Sequence, residues 1–185
     1  MLSLRRLAAD VEIRSPTLYH YFASKTELLD AVAARISGEI WDSVEAELAK
    51  VPDDDWEAAL RAYVDGAVAA LARHPRAVGF QALRPVSNER TLAGYEAMLT
   101  RLTGCGWPLT FAWQAFLAAE NLVLAAALEA GAPPFWSTAE GLDDKPLMAQ
   151  VIAAMRRDRG LDVGTGVGLD ALIDGLRSRQ TRGCQ

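Results

Sequence analysis

A chain of 185 residues is long enough for one compact unit, or for a small headpiece carried on a larger core. Its net charge is −5, yet the first 25 residues hold Arg5, Arg6, Arg14 and Lys25 against only Asp10 and Glu12, so an acidic protein has a locally basic start. Two cysteines far apart in sequence, Cys105 and Cys184, exclude a disulfide framework or a metal-ligand spacing. With no charged-then-apolar leader, the expected compartment is the cytoplasm.

The stretch from Leu4 to Leu29 is the most informative. Leu4, Leu7, Ala8 and Val11 recur at i, i+3, i+4 and i+7, the spacing of one buried helical stripe, with Arg5 and Arg6 off it. A polar break from Glu12 to Ser15 precedes Pro16, which suits a first helical turn because its missing N–H would be unpaired there anyway. Ser15 is the natural cap, with Arg14 the other candidate. A second short helix over about 16–22 is predicted to bury Leu18 and Phe22, leaving Thr17, Tyr19, His20 and Tyr21 to face elsewhere. Ser24-Lys25-Thr26-Glu27 reads as a capping box ahead of the apolar Leu28, Leu29 and Val32. Helices this short are marginal alone and must pack on one another. A hydroxyl, two phenols and an imidazole on the second helix, backed by Arg5, Arg6, Arg14 and Lys25, suit phosphate anchoring plus base-edge contact in a major groove.

The rest reads as helices separated by proline or glycine, without strand-like alternation, repeats or low-complexity tracts. The third helix is predicted to continue to about Lys50 with Ile40, Trp41, Val44 and Leu48 on one stripe, ended by Pro52. The next, from near Asp55 to Arg73, turns Trp56, Leu60, Tyr63, Val64, Ala67 and Leu71 inward and closes at His74-Pro75. A short helix to Leu83 follows, then one from Asn88 or Glu89 to Leu102 with Leu92, Tyr95, Leu99 and Leu102 on one face. Pro108 to about Glu129 is the most apolar stretch; Pro146–Arg157, a glycine-rich link and a helix over about 168–179 complete the chain.

The runs Leu7-Ala8-Ala9-Asp10-Val11-Glu12-Ile13, Ser15-Pro16-Thr17-Leu18-Tyr19-His20-Tyr21-Phe22 and Ser24-Lys25-Thr26-Glu27-Leu28-Leu29 together resemble the signature of the tetracycline-repressor (TetR) family of one-component transcriptional regulators. The resemblance implies an all-α fold: a helix-turn-helix headpiece over 1–36, a helical effector-binding and dimerisation domain over 37–180, and a tail at 181–185. It implies DNA contacts from Ser15, Pro16, Thr17, Tyr19, His20 and Tyr21, a phosphate contact from Lys25, and a basic contact from Arg5, with Arg14 beside them. Two positions depart from the family pattern, Glu12 where many members carry glycine and Arg14 where many carry a small hydroxyl residue; Glu12 is expected to strain the turn. Members also have a full helix before the one that opens here at Leu4. Without its cover, Leu4, Leu7, Val11 and Leu18 are expected to expose apolar surface, each worth roughly 1.5–3 kcal/mol when buried. The alternative expectation is a helical ligand- or partner-binding dimer that has lost DNA binding.

The apolar 111–128 stretch is long enough to suggest a membrane span, but Gln114, Glu120 and Asn121 would sit near its middle. A helix apolar around most of its circumference is instead covered by its own core on one side and by a second subunit on the other. Leu169, Leu172, Ile173 and Leu176 repeat the pattern, and the resemblance implies a homodimer through the helices at about 108–129 and 168–179 that reads a pseudo-palindromic double-stranded DNA operator.

Trp41, Tyr63, Phe80, Tyr95, Trp113, Phe116 and Asn121 are enough to line an apolar pocket with polar anchors, although an ordinary helical core contains the same residues. The resemblance favours the pocket, and its tetracycline-binding members use a histidine where this chain has Gly38-Glu39-Ile40-Trp41. A metal-free apolar or aromatic effector is therefore expected, with no cofactor. No nucleophile elbow, metal-ligand cluster, phosphate loop or paired carboxylate motif supports an enzyme.

Overall fold

The computed structural model describes residues 3–81, 84, 88–131, 137–157 and 165–183. Among these residues the chain is helical without strands: α1 (Leu4–Asp10), α2 (Ser15–Tyr21), α3 (Lys25–Leu48), α4 (Trp56–Ala72), α5 (Val78–Gln81), α6 (Glu89–Gly104), α7 (Leu109–Gly131), α8 (Pro146–Arg157) and α9 (Thr165–Gly183). Cys184 and Leu83, which the sequence singled out, lie outside the described residues.

α1 and α2 pack on each other and on the start of α3 through a small core of Leu4, Ala8, Leu18 and Leu28, with Leu7 and Phe22 half-buried against it. Leu4 and Leu18 are thus covered, contrary to the expectation that they would stand open. Val11 is the stripe member that fails to enter this core, and with Ile13 it remains exposed. The stripe breaks there because the helix has already ended at Asp10.

α3 is one helix of 24 residues, roughly 36 Å long at about 1.5 Å per residue. It joins both cores: Leu28 belongs to the small cluster, while Ile36, Trp41, Val44 and Leu48 belong to the large one. α4 lies at the heart of that second cluster, packed on α3, α6 and α7, and all six residues predicted to face inward are buried. The close approach of α3 and α4 needs Gly66, since a Cβ there would come within 2.8 Å of the Val44 Cα.

The inward stripe of α6 differs from the sequence expectation. Thr91, Gly94, Met98 and Leu102 are buried, Tyr95 and Leu99 are half-buried, and Leu92 points to solvent. Two small or hydroxylic residues on the true stripe hid it from an apolar count. Gly94 admits the Trp41 indole, and the Thr91 hydroxyl meets Ser37 across α3 at 2.8 Å.

α7 is apolar and long enough to cross a membrane by length and composition, but its Ala112, Ala115, Phe116, Ala119, Val123 and Ala127 face the core of the bundle. Leu109, Trp113 and Leu128 lie on its exposed side. α9 returns along α7, burying Leu169, Ile173 and Leu176.

Candidate DNA-reading face and core cavity

The turn between α1 and α2 closes by hydrogen bonds from Glu12 N–H to the Ala9 carbonyl (3.2 Å) and from Ile13 N–H to the Ala8 carbonyl (2.9 Å). This is the Schellman pattern, which places the residue after the helix cap in the left-handed region. That residue is Glu12, with φ of 56°, a conformation that glycine accepts without penalty and an L side chain does not. The strain expected at Glu12 therefore has its structural counterpart.

α2 starts one residue earlier than expected. Arg14 is its cap through backbone geometry alone, and Ser15 is the first helical residue, so Ser15 supplies no cap hydrogen bond. Proline follows within the first turn, where no intrahelical partner for its nitrogen is needed. At the start of α3 the Ser24 hydroxyl accepts from Glu27 N–H at 3.1 Å, and the Glu27 carboxylate accepts at 2.7 Å from Ala23 N–H rather than from the cap residue itself.

These constraints turn one face of α2 outward. Leu18 is the buried anchor, and Pro16, Thr17, Tyr19, His20 and Tyr21 are exposed, with Tyr21 at 69% and its ring edge-on to His20 at 5.5 Å. Ser15 and Lys25 flank this face half-buried, while Arg5 and Arg14 are exposed beside it. Arg5, Arg14 and Lys25 enter no ion pair within the described residues, so their charges are directed to solvent. The face combines donors, acceptors and flat rings with unpaired cations, the chemistry that meets phosphates and base edges.

The second site is a cavity of about 300 Å³, open to one side, bordered by α3, α4, α5, α6 and α7. Of the residues predicted to surround an effector, Trp41, Tyr63, Tyr95 and Asn121 line it. Phe116, Trp113 and Phe80 stand back from its wall. Phe116 is fully buried behind Tyr63 and Tyr95, at ring distances of 4.8 and 5.4 Å. Trp113 packs on Tyr95 from the outer side, and Phe80 lies 4.9 Å beneath the Arg84 guanidinium. Phe116 and Trp113 lie on the Glu120 side of α7 but one and two turns nearer its start, so they back the wall without lining it.

Sequence reasoning missed most of the polar half of the cavity: Ser37, Arg84, Thr91 and Glu120 border it beside Gln81 and the expected Asn121. Glu120 Oε1 accepts hydrogen bonds from the Tyr95 hydroxyl at 3.0 Å and the Tyr63 hydroxyl at 3.3 Å. Burial raises the Glu120 carboxyl above its ordinary range, and the two phenols lower it in part. Burial and the nearby carboxylate in turn push the phenols up, Tyr63 strongly. The Gln81 amide N–H donates to the Ala33 carbonyl at 3.3 Å, and its buried oxygen has no partner among the described residues. Arg84 forms an ion pair with Asp30.

Thus two residues of the cavity wall, Gln81 and Arg84, hold α3 at Ala33 and Asp30, a short way along the helix from Lys25. A helix-turn-helix with an exposed polar and aromatic face, mounted by one continuous helix on a bundle around a cavity, defines an all-helical reader-and-core protein. Residues 1–32 match the family described as bacterial regulatory proteins of the tetR family, and residues 48–179 match the tetracyclin repressor-like C-terminal domain. The chain belongs to the TetR family, a family of regulators rather than enzymes.

Over 105 residues the chain is 31% identical to the HTH-type transcriptional repressor DrrR1 of Streptomyces coeruleorubidus, a stretch that covers 57% of this chain and 37% of that protein. The chain therefore spans well under half of that relative's length. Among solved structures it is similar to a possible TetR family transcriptional regulator from Streptomyces coelicolor A3(2), with a TM-score of 0.76, 24% identity, and coverage of 96% of this chain and 89% of that one. It is also similar to TetR from Acinetobacter baumannii AYE, with a TM-score of 0.73, 24% identity, and coverage of 96% and 86%. A variant of the latter, in complex with minocycline, matches at a TM-score of 0.70 and 23% identity over 95% of this chain and 82% of that one. At these identities the structural likeness concerns the fold.

Proposed function

We propose that this chain is a cytoplasmic, ligand-responsive transcriptional repressor that reads a pseudo-palindromic operator as a homodimer and is released by a small, metal-free apolar or aromatic effector. The observation that carries this reading is the sharing of α3. Its first turns sit in the reading headpiece, while Gln81 and Arg84 of the cavity wall grip it at Ala33 and Asp30. Asp30 is five residues from Lys25, about 7.5 Å along the axis. A ligand that shifts Gln81 or Arg84 therefore acts on the helix that carries the phosphate-contacting lysine.

Recognition falls to Thr17, Tyr19, His20 and Tyr21 at base edges, with Ser15 and Pro16 at the helix start and Arg5, Arg14 and Lys25 on phosphates. The exposed apolar side of α7, with Leu109, Trp113 and Leu128, together with Val167 of α9, supports pairing of two copies through these helices. Effector binding then favours a conformer whose two recognition helices are mis-spaced, and release requires a ligand that binds that conformer more tightly than the other. The reading of a helical dimer without DNA recognition is not favoured, because the headpiece core is closed and its face is free.

The test is a gel shift of the full chain on the DNA upstream of its own gene, with an unrelated duplex of equal length as competitor. Retarded mobility that survives the competitor is expected. If the two duplexes compete equally, the operator reading fails.

A further inference from the structure

The polar half of the cavity holds an unbalanced charge. Among the described residues Glu120 is the sole acidic side chain on its wall, it is mostly buried, and its partners are two phenols rather than a cation. Only Oε1 is engaged; Oε2 has no hydrogen-bond partner among the described residues. The single cationic residue on the wall among the described residues, Arg84, is committed elsewhere, paired with Asp30 and seated over the Phe80 ring. A carboxylate withdrawn from water without a counterion is costly, and a bound cation removes that cost.

The surroundings fit such a guest. Trp41, Tyr63 and Tyr95 line the same space, and aromatic faces attract ammonium groups that have lost their water. Tyr63 and Tyr95 spend their protons on Glu120, so toward a ligand they offer ring surface and acceptor lone pairs. Gln81 borders the space on the α5 side, held by the bond from its N–H to the Ala33 carbonyl. An ammonium guest would meet Glu120 and the rings of Trp41, Tyr63 and Tyr95, whereas an anionic guest would face Glu120 directly. At about 300 Å³ the space suits a compact molecule.

We infer that the effector of this cavity is a small aromatic or alicyclic amine, bound as its ammonium ion with the charge at Glu120 and the carbon skeleton between Trp41, Tyr63 and Tyr95. This rests on the reading of the cavity as the effector site and names the class of ligand it takes. The ammonium donates to Glu120 Oε2, and the hydroxyls of Tyr63 and Tyr95 keep the carboxylate in place. Tyr63 and Tyr95 are positioning residues for that charge as well as part of the aromatic wall.

Three probes of similar size and different charge test it on the full chain: 2-phenylethylamine, 2-phenylethanol and phenylacetate. Binding is followed by calorimetry and by tryptophan fluorescence, since Trp41 lines the space. The amine is expected to bind about tenfold or more tightly than the alcohol, and phenylacetate weakest. In Glu120→Gln the preference of amine over alcohol should fall to within about twofold. Equal binding of amine and alcohol to the unaltered chain, or an amine preference that persists in Glu120→Gln, overturns the charge assignment and leaves the cavity as an effector site. Failure of all three probes to bind overturns the cavity reading and this inference with it. The comparison of probes on the unaltered chain decides the matter even where Glu120→Gln fails to fold.

Discussion

Replacing Gly94 by alanine tests the packing that forms the cavity wall. A Cβ at Gly94 would lie 2.1 Å from Trp41 Cδ2 and 2.2 Å from Cε3, against about 3.5 Å for an ordinary carbon contact, so the indole must retreat by about 1.4 Å. It has nowhere easy to go, because Tyr95, Tyr63 and Phe116 stand around it at ring distances of 5.5, 5.8 and 6.4 Å. Overpacking of this kind costs about 3 kcal/mol at the upper end of its usual range. Alanine returns about 1 kcal/mol through its better helix propensity. The net loss is about 2 kcal/mol, which lowers the thermal midpoint by about 4–8 °C in a chain of this size. Circular dichroism melts of Gly94→Ala should show it, with Gly38→Ala as the control. Gly38 sits in the middle of α3 with nothing within 4 Å of its would-be Cβ, so alanine there should be neutral or raise the midpoint. A Gly94→Ala midpoint equal to that of the parent chain, or one that tracks Gly38→Ala, would refute the account of Gly94 as the slot for Trp41.

Other expectations follow from separate parts of the molecule. Glu12→Gly removes an L side chain from positive φ and should stabilise the α1–α2 turn by about 1 kcal/mol, read as greater hydrogen-exchange protection of Ile13 and its neighbours; unchanged protection would contradict the strain. Lys25→Ala should weaken operator binding evenly across sequences and lower the slope of log affinity against log salt by about 0.9, whereas Tyr21→Ala should narrow the gap between operator and unrelated DNA; a gel shift indifferent to both would overturn the contact assignments. Leu60→Ala, at a fully buried position in the second turn of α4, should cost about 2–5 kcal/mol in urea unfolding, and a loss below about 1 kcal/mol would mean that the core is not where it has been placed. The Glu120 carboxyl is raised by burial above 4.5, so the folded chain holds its proton longer than the unfolded one. This contribution favours folding at low pH and is lost as pH rises from about 4.5 through the raised value. The stability difference between the parent chain and Glu120→Gln should therefore shift against the parent as pH rises across that window, and a difference independent of pH would count against a desolvated carboxyl.

Much of the headpiece was legible as text. Pro16 in a first turn, the Ser24 to Glu27 box and the i, i+3, i+4 spacing of Leu4, Leu7 and Ala8 are local rules, satisfied within a few residues. The outward face of α2 followed from one anchor, Leu18, since helical period fixes the rest once a single side is buried. The same locality failed at Arg14 and Ser15, where the closure of the preceding turn decides which residue caps the helix.

The sequence by itself determined the helical class, the order of the elements, the family and the exposed polar and aromatic residues of the reader, because capping, periodicity and motif spacing act over one or two turns. Tertiary structure decided what meets across helices. Thr91 and Gly94 line the true inner stripe of α6 because Ser37 and Trp41 of α3 lie opposite. Glu120 in an apolar helix became a site because Tyr63 and Tyr95, 57 and 25 residues away, aim their hydroxyls at it. Arg84 and Gln81 became the link from cavity to headpiece because α3 passes beside them. No local pattern encodes such meetings: a polar side chain in a helix has the same sequence signal whether it ends in water or in the wall of a cavity, and only packing distinguishes the two.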